Sequence, residues 1–330
     1  MLCMMNAVAQ RQVAVLSHEG EIKAFYGEKA YQQAMSEADH GDVITLSSGI
    51  FDAAWINKAV TIRGAGMEND PVTGRGATIV NGDYGVGIDY VEKKLIIEGI
   101  CFNGSMHVFT DDALDYVLFN KCKFTRDEWQ GALYTADSVT VKCVLTNCKT
   151  YRITNNQPSL EAYNSYIGRA VQGHFYNCVL EFGGSGNIDF ENCHVYNSVA
   201  LVWGHVYFLE KYNVSFSNSI IAGTYDFDGD GNGDSTAYFH FDCPSNGVKL
   251  VEEQHNNLFN ISLDDWNKKK RIDFDFVLAD KYNNNDIGMY GGVTPYSPIL
   301  NVPTITSFKV ERESDEKGML GVEVEVSGVR

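Results

Sequence analysis

The sequence predicts an all-β solenoid in which short parallel strands wind into stacked coils, a parallel β-helix. The first observation is strand spacing. In HGDVITLSSGIFDAAWINKAVTIRGAG, residues 40–66, two β-branched runs at 43–46 and 60–62 are separated by little more than Gly49 and the Asn57-Lys58 pair, too tight for a βαβ unit. The second is an internal repeat: IEGICFNG (Cys101), LFNKCKFT (Cys122), VLTNCKTY (Cys148), HFYNCVLE (Cys178), DFENCHVY (Cys193) and, with Ser for Cys, SFSNSIIA (Ser219). The intervals of 21, 26, 30, 15 and 26 residues are those of one short supersecondary unit, and repeats of this size mean a solenoid. The third is what the units contain. They are period-2 strands punctuated by Gly and Asn, without the 3.6-residue apolar spacing that helical solenoids need.

In chain order, the apolar start MLCMMNAVAQ ends in Ala7-Val8-Ala9, like the small-residue end of a secretory signal but without its basic start. Residues 1–9 are therefore expected to be a signal-peptide remnant, with an ordinary apolar N-terminus as the alternative. Residues 10–300 are expected to form the coil domain. Tyr31, Ala34, Met35 and Ala38 fall at i, i+3, i+4 and i+7 and make one apolar helix face. Such a helix can cover the end of the stack, where an open sheet edge would invite aggregation. Side chains stacked in parallel lack the crossed Cβ geometry of a disulfide, and there is no C-x-x-C pair for zinc, so the cysteines are expected to be buried free thiols. The neighbouring Asn residues read as a turn ladder with amides bonding between coils. At the far end, 304–310 and 320–326 alternate as two strands around ESDEKG. Residues 301–330 are either a hairpin cap or the beginning of an immunoglobulin-like module.

Three stretches carry a family resemblance: AYQQAMSEADHGDVITLSSGIF with KAVTIRGAG and ATIVNG, the Asn-Cys coil repeat, and FVLADKYNNNDIGMYGG. Over about residues 28–292 the chain resembles the pectate lyase-like superfamily, in particular its exported Bacteroidota members. The resemblance implies a right-handed helix of about ten coils with an N-terminal cap helix. It says little about chemistry.

Charge limits the partners. With 26 Lys and Arg against 43 Asp and Glu, the net charge is −17, which repels nucleic-acid phosphates and, without a bridging cation, acidic polysaccharides. No stretch approaches the ~18 apolar residues of a membrane span. The strongest candidate metal site is YDFDGDGNGDS, where Asp226, Asp228, Asp230, Asn232 and Asp234 alternate with small residues and can turn hard oxygens onto one Ca²⁺. Its match to an EF-hand loop is partial, since Ala237 stands where the bidentate Glu belongs, and the bland alternative is a solvated acidic turn.

A polysaccharide lyase also needs a base and a group to neutralise the uronate carboxylate. Arg152, Arg169, His174 and His205 offer parts of that constellation. The Asp111-Asp112 pair is a weak start for a glycosidase, and no G-x-S-x-G, Walker or dinucleotide motif is present. The basic cluster at 268–271 reads as a solvated turn. Aromatic residues make up 12% of the chain, 18 of them Tyr, and an exposed flank of them would stack on sugar rings. The expected function is thus an exported or cell-surface glycan-binding or adhesion-type protein, with Tyr163, Tyr166, Arg169 and Trp203 as substrate contacts. The alternative is a Ca²⁺-dependent lyase acting on an acidic polysaccharide.

Overall fold

The computed structural model describes residues 12–88, 93–108, 114–126, 133–135, 141–154, 160–168, 172–182, 193–203, 214–224, 247, 249–251, 255–282, 286–300, 304–310 and 322–327. The chain is predominantly β and solenoid-like. Among the described residues, two long sheets of eleven and ten strands lie against each other, with a four-strand parallel sheet beside them. Thr304–Val310 and Val322–Ser327 pair antiparallel as a separate hairpin.

From Gly99 onward, each described coil steps from the eleven-strand sheet to the ten-strand sheet through a two-residue corner, whereas Thr61–Arg63 reaches Thr78–Asn81 through the longer segment 64–77. Strand Lys142–Thr146, for example, reaches Lys149–Thr150 through Asn147 and Cys148 alone. The first corner residue has positive φ in seven successive coils: Gly99 68°, Lys121 52°, Asn147 53°, Asn164 47°, Asn177 53°, Asn197 48° and Asn218 44°. That region is open to Gly and tolerated by Asn, whose short amide bonds locally, which is why the repeat carries Asn there. The second corner residue is buried: Ile100, Cys122, Cys148, Ser165, Cys178, Ser198 and Ser219. The Ser165 hydroxyl accepts from Cys148 N–H at 3.0 Å and donates to Tyr163 O at 2.7 Å. Ser198 and Ser219 repeat this pattern, accepting from Cys178 and Ser198 N–H.

This column differs from the sequence alignment at two places. Cys101 pairs with Lys123 and lies one residue beyond the corner. Cys193 pairs with Gly173 and opens a strand of the eleven-strand sheet; its Asn-Cys dipeptide imitates the corner only locally. The true members missed were Ile100, Ser165 and Ser198. The thiols themselves are free and buried at Cys101, Cys122, Cys143, Cys148, Cys178 and Cys193. Burial pushes Cys143 and Cys178 up to about 12, so neither is a thiolate near neutrality.

The N-terminal end is closed by elements of which the sequence showed one. Helix α1 (Ala30–Glu37) buries Ala30, Tyr31, Ala34 and Met35, as its periodicity predicts. Beside it, β1 (Val13–His18) and β2 (Glu21–Tyr26) form an antiparallel hairpin, and β1 pairs with β3 (Val43–Leu46). The turn between them has φ of 47° at Glu19 and 91° at Gly20, the two positive values of a type I′ turn. Glu is an unusual first residue there, which hid the hairpin.

Residues 255–282 and 286–300 return along the outside of the stack. One part covers the outer face of the ten-strand sheet, where Tyr166, Val179, Val199, Leu201 and Ile220 pack with Phe259, Ile272, Phe274, Phe276 and Met289 in a second core. The rest follows the corners. The Asn197 carbonyl accepts from Gly288 N–H, and the Asn177 amide donates to Asp286 O. The Asn164 amide donates to Met289 O and Gly291 O, Asn147 Oδ1 accepts from Ser297 N–H, and the Lys121 ammonium donates to Ile299 O. A Cβ at Gly99 would stand 2.3 Å from Leu300 Cδ1. The strap therefore touches six consecutive corners.

Two stacked lysines lie under it. Lys123 Nζ is 2.6 Å from Asp273 and 3.0 Å from Glu68, while Lys149, 2% exposed, is 3.6 Å from the same Glu68 oxygen and 3.3 Å from Phe274 O. Burial lowers both pKa values, but at Lys123 the carboxylates outweigh it and the net shift is upward; at Lys149 burial prevails. A lysine with depressed folded pKa opposes folding below that pKa and is relieved as pH rises through it. Lys149→Met is thus expected to hold or raise the melting temperature near neutral pH. Glu68→Gln, which strips the shared carboxylate from both lysines, is expected to lower stability by about 2 kcal/mol; a clear melting-temperature loss in Lys149→Met would contradict this account.

At the corners, Asn197→Ala is expected to cost about 1–2 kcal/mol in urea denaturation, from its left-handed φ and the lost bond from the Asn218 amide. Asn197→Gly should cost less, because Gly adopts this φ freely. Equal losses would show that the φ requirement is not what matters there.

Candidate functional site

Corner geometry puts equivalent residues of successive coils in register, so outward side chains form columns along the sheets. On the eleven-strand sheet the residue before each corner points out, and in three consecutive coils it is Tyr163, Tyr176 and Tyr196. All three are half-buried. Their rings stack with centroids 4.9 and 5.1 Å apart and planes within 8° and 7°, close to the strand spacing of about 4.8 Å. Two residues earlier in each strand stand Glu161, His174 and His194. The two imidazoles stack at 4.8 Å, and His194 Nδ1 is 2.7 Å from Ser215 Oγ.

Glu161 anchors one end of the column. Its carboxylate takes the Tyr163 hydroxyl at 2.8 Å and the Lys142 ammonium at 2.8 Å. Burial raises its pKa, but the Lys142 and Tyr163 bonds more than offset that and leave it below the usual carboxylate range. Burial, with the Glu161 bond, pushes Tyr163 up to about 12, so its phenol stays a donor. Among the described residues the hydroxyls of Tyr176 and Tyr196 have no partner. Stacking occupies the ring faces, and what the column offers outward is a row of phenol edges and hydroxyls at strand spacing.

The expected contact residues fall in different places. Tyr163 is in the column. Tyr166 is across the corner on the ten-strand sheet, 1% exposed, with its ring 4.8 Å from Phe276 and its hydroxyl on Glu181 at 2.8 Å. It is a core residue and offers no face to a ligand; the strap that covers it could not be read from the local sequence. Arg169 lies outside the described residues. Trp203 ends strand Val199–Trp203 opposite Thr224, and its side chain lies outside the described set. Arg152 adjoins the four-strand sheet through Ile153, away from the Tyr column.

Arg271, read as part of a solvated turn, instead reaches Glu181 at 3.4 Å. Asp226, Asp228, Asp230, Asn232 and Asp234 lie outside the described residues, as do Asp111, Asp112 and His205. Among the described residues, no group of three or more His, Cys, Asp or Glu is arranged to hold a metal. Tyr176, Tyr196, Glu161 and His194 were missed, although aligning EAYNS, HFYNC and HVYNS on the corner dipeptide shows the outward Tyr three times over.

Stability should report Glu161. A depressed carboxylate contributes above its unfolded pKa and loses that contribution as pH falls through the folded value. The wild type is therefore expected to lose melting temperature between pH 6 and pH 3 by more than Glu161→Gln does, and identical pH profiles would refute the pairing. Comparison with known protein families, with curated proteins and with solved structures finds no match to this chain.

Proposed function

We propose that this protein is a right-handed parallel β-helix, exported or displayed at the cell surface, that binds glycan along the outer face of its eleven-strand sheet. One observation carries the reading: the strap covers the outer face of the ten-strand sheet, whereas the Tyr163–Tyr176–Tyr196 column on the other is half-exposed and, among the described residues, has two phenols without partners. The handedness follows from the preference of parallel crossovers, right-handed in about 98% of cases. Phenol edges suit saccharides, since they supply both apolar contact and a hydroxyl that donates and accepts. Repetition at strand spacing lets several sugar units bind weakly and together. The charge of −17 favours neutral glycans over uronates. Export is compatible with free thiols because the described ones are buried, and burial pushes Cys143 and Cys178 up to about 12.

Glycan-array binding tests the reading, run with Ca²⁺ and with chelator so that the acidic loop at 226–234 is tested as well. The wild type is expected to bind a neutral glycan, and Tyr176→Phe, which keeps the stack and removes one hydroxyl, to bind about threefold to tenfold more weakly. Binding that is indifferent to Tyr176→Phe, Tyr163→Ala and Tyr196→Ala alike would sink this assignment. Release of unsaturated uronide products, dependent on Ca²⁺, would replace it with a lyase.

A further inference from the structure

Strand β2 ends the eleven-strand sheet, and among the described residues nothing pairs with its outer edge. Gly27 N–H donates to Gln12 O at 2.9 Å, and antiparallel bonds fall on alternate residues. Glu21, Lys23 and Phe25 therefore turn their N–H and C=O groups to β1, whereas those of Ile22, Ala24 and Tyr26 turn to the open side. The devices that usually blunt an edge are missing. The strand has no Pro, and its register with β1 runs through all six residues without a bulge. Its two charges, Glu21 and Lys23, share the side of buried Phe25, where the Lys23 ammonium pairs with Glu37 of α1 and lies 5.3 Å over the Phe25 ring.

The outward side of the hairpin is apolar. Ile22, Ala24 and Tyr26 are exposed, Ile22 by 75% and Tyr26 by 62%. Opposite them on β1 stand Ser17, Val15 and Val13. None of the six carries a charge, although the chain has a net charge of −17, so this edge lacks the like charge that would hold two copies apart. By register Ala24 stands in the same outward column as Tyr163.

We infer that β2 docks against β2 of a second copy of this chain, antiparallel about a two-fold axis through Ala24 and normal to the sheet. The open groups of Ile22, Ala24 and Tyr26 are symmetric about Ala24. In this register Ala24 opposes Ala24, and Ile22 and Tyr26 oppose each other twice, so that each pair exchanges main-chain bonds. The Ile–Tyr pairs are of the β-branched and aromatic kind that favours cross-strand contact, and Lys23 meets Phe25 instead of a like charge. Centring the axis on Lys23 would set two ammoniums face to face, and centring it on Ile22, Phe25 or Tyr26 shortens the ladder. A contact of this symmetry closes at two copies. It leaves the outward face of both sheets on one side, and it does not depend on what that face binds. Six residues a side fall short of the roughly 20–30 of a standard interface, so the expected dimer is weak, with a dissociation constant on the order of 10–100 μM.

The test is sedimentation velocity of the whole protein from about 5 to 500 μM. The wild type is expected to pass from monomer towards dimer and no further. Ala24→Pro removes an edge N–H that β1 does not use and is expected to weaken association about tenfold or more with an unchanged melting transition. Ile22→Lys, at an exposed position, should weaken it as well and carries the test if the Pro variant folds poorly. Ile22→Lys combined with Tyr26→Glu sets opposite charges across the axis and is expected to regain most of the loss. A wild type that stays monomeric throughout would overturn the inference and leave the edge to a strand of another protein. Association that Ala24→Pro and Ile22→Lys both leave intact, or growth beyond the dimer, would overturn it too.

Discussion

The two-residue corner with positive φ is the constraint on which the rest of this molecule depends. From Gly99 onward the chain passes from one sheet to the other in two residues, and the first of them enters the left-handed region. Asn meets that demand in five successive coils from Asn147 to Asn218. Because the corners from Gly99 onward have the same length, the strands on both sides stay in register from coil to coil, and inward and outward residues fall into columns. The Asn amides also reach the strap, at Asn147, Asn164 and Asn177. One residue type therefore satisfies a backbone requirement and a recognition requirement at once.

Fixed register has a cost for binding. Aromatic side chains repeated at strand spacing stack on one another, and in doing so they cover the faces that a sugar ring would use. Tyr176, between Tyr163 and Tyr196, has a ring against each face. Under the proposed function, the column would then meet a glycan with edges and hydroxyls.

Close strand spacing and the recurrence of Asn-Cys made the coil architecture legible in the sequence, since both report local geometry. The apolar face of α1 was legible for the same reason. What could not be read depended on contacts between distant segments. Tyr166 and Tyr163 stand three residues apart and look alike in sequence, yet a corner sends them to different sheets and only one lies under the strap. Cys193 carried the right dipeptide in the wrong register, because pairing with Gly173, not the dipeptide, decides its place. The amides were read as bonding between coils. Asn218 does so with Asn197, but Asn164 and Asn177 turn to residues more than a hundred positions away.

The strap also changes how the stack should behave as a whole. In a solenoid each coil touches only its neighbours, and stability is close to a sum of local terms, so that an end coil can fray without disturbing the middle. A segment bound at six consecutive corners, from Gly99 to Asn197, breaks that independence. Opening any one of those corners loosens a tether whose remaining contacts hold it in place at the others. The covered sheet gains cooperativity and a second core, and it loses its outer face as a binding surface. The eleven-strand face keeps that freedom because no described segment crosses it. Rigidity on one side of the stack and an open row of rings on the other thus follow from the same returning segment.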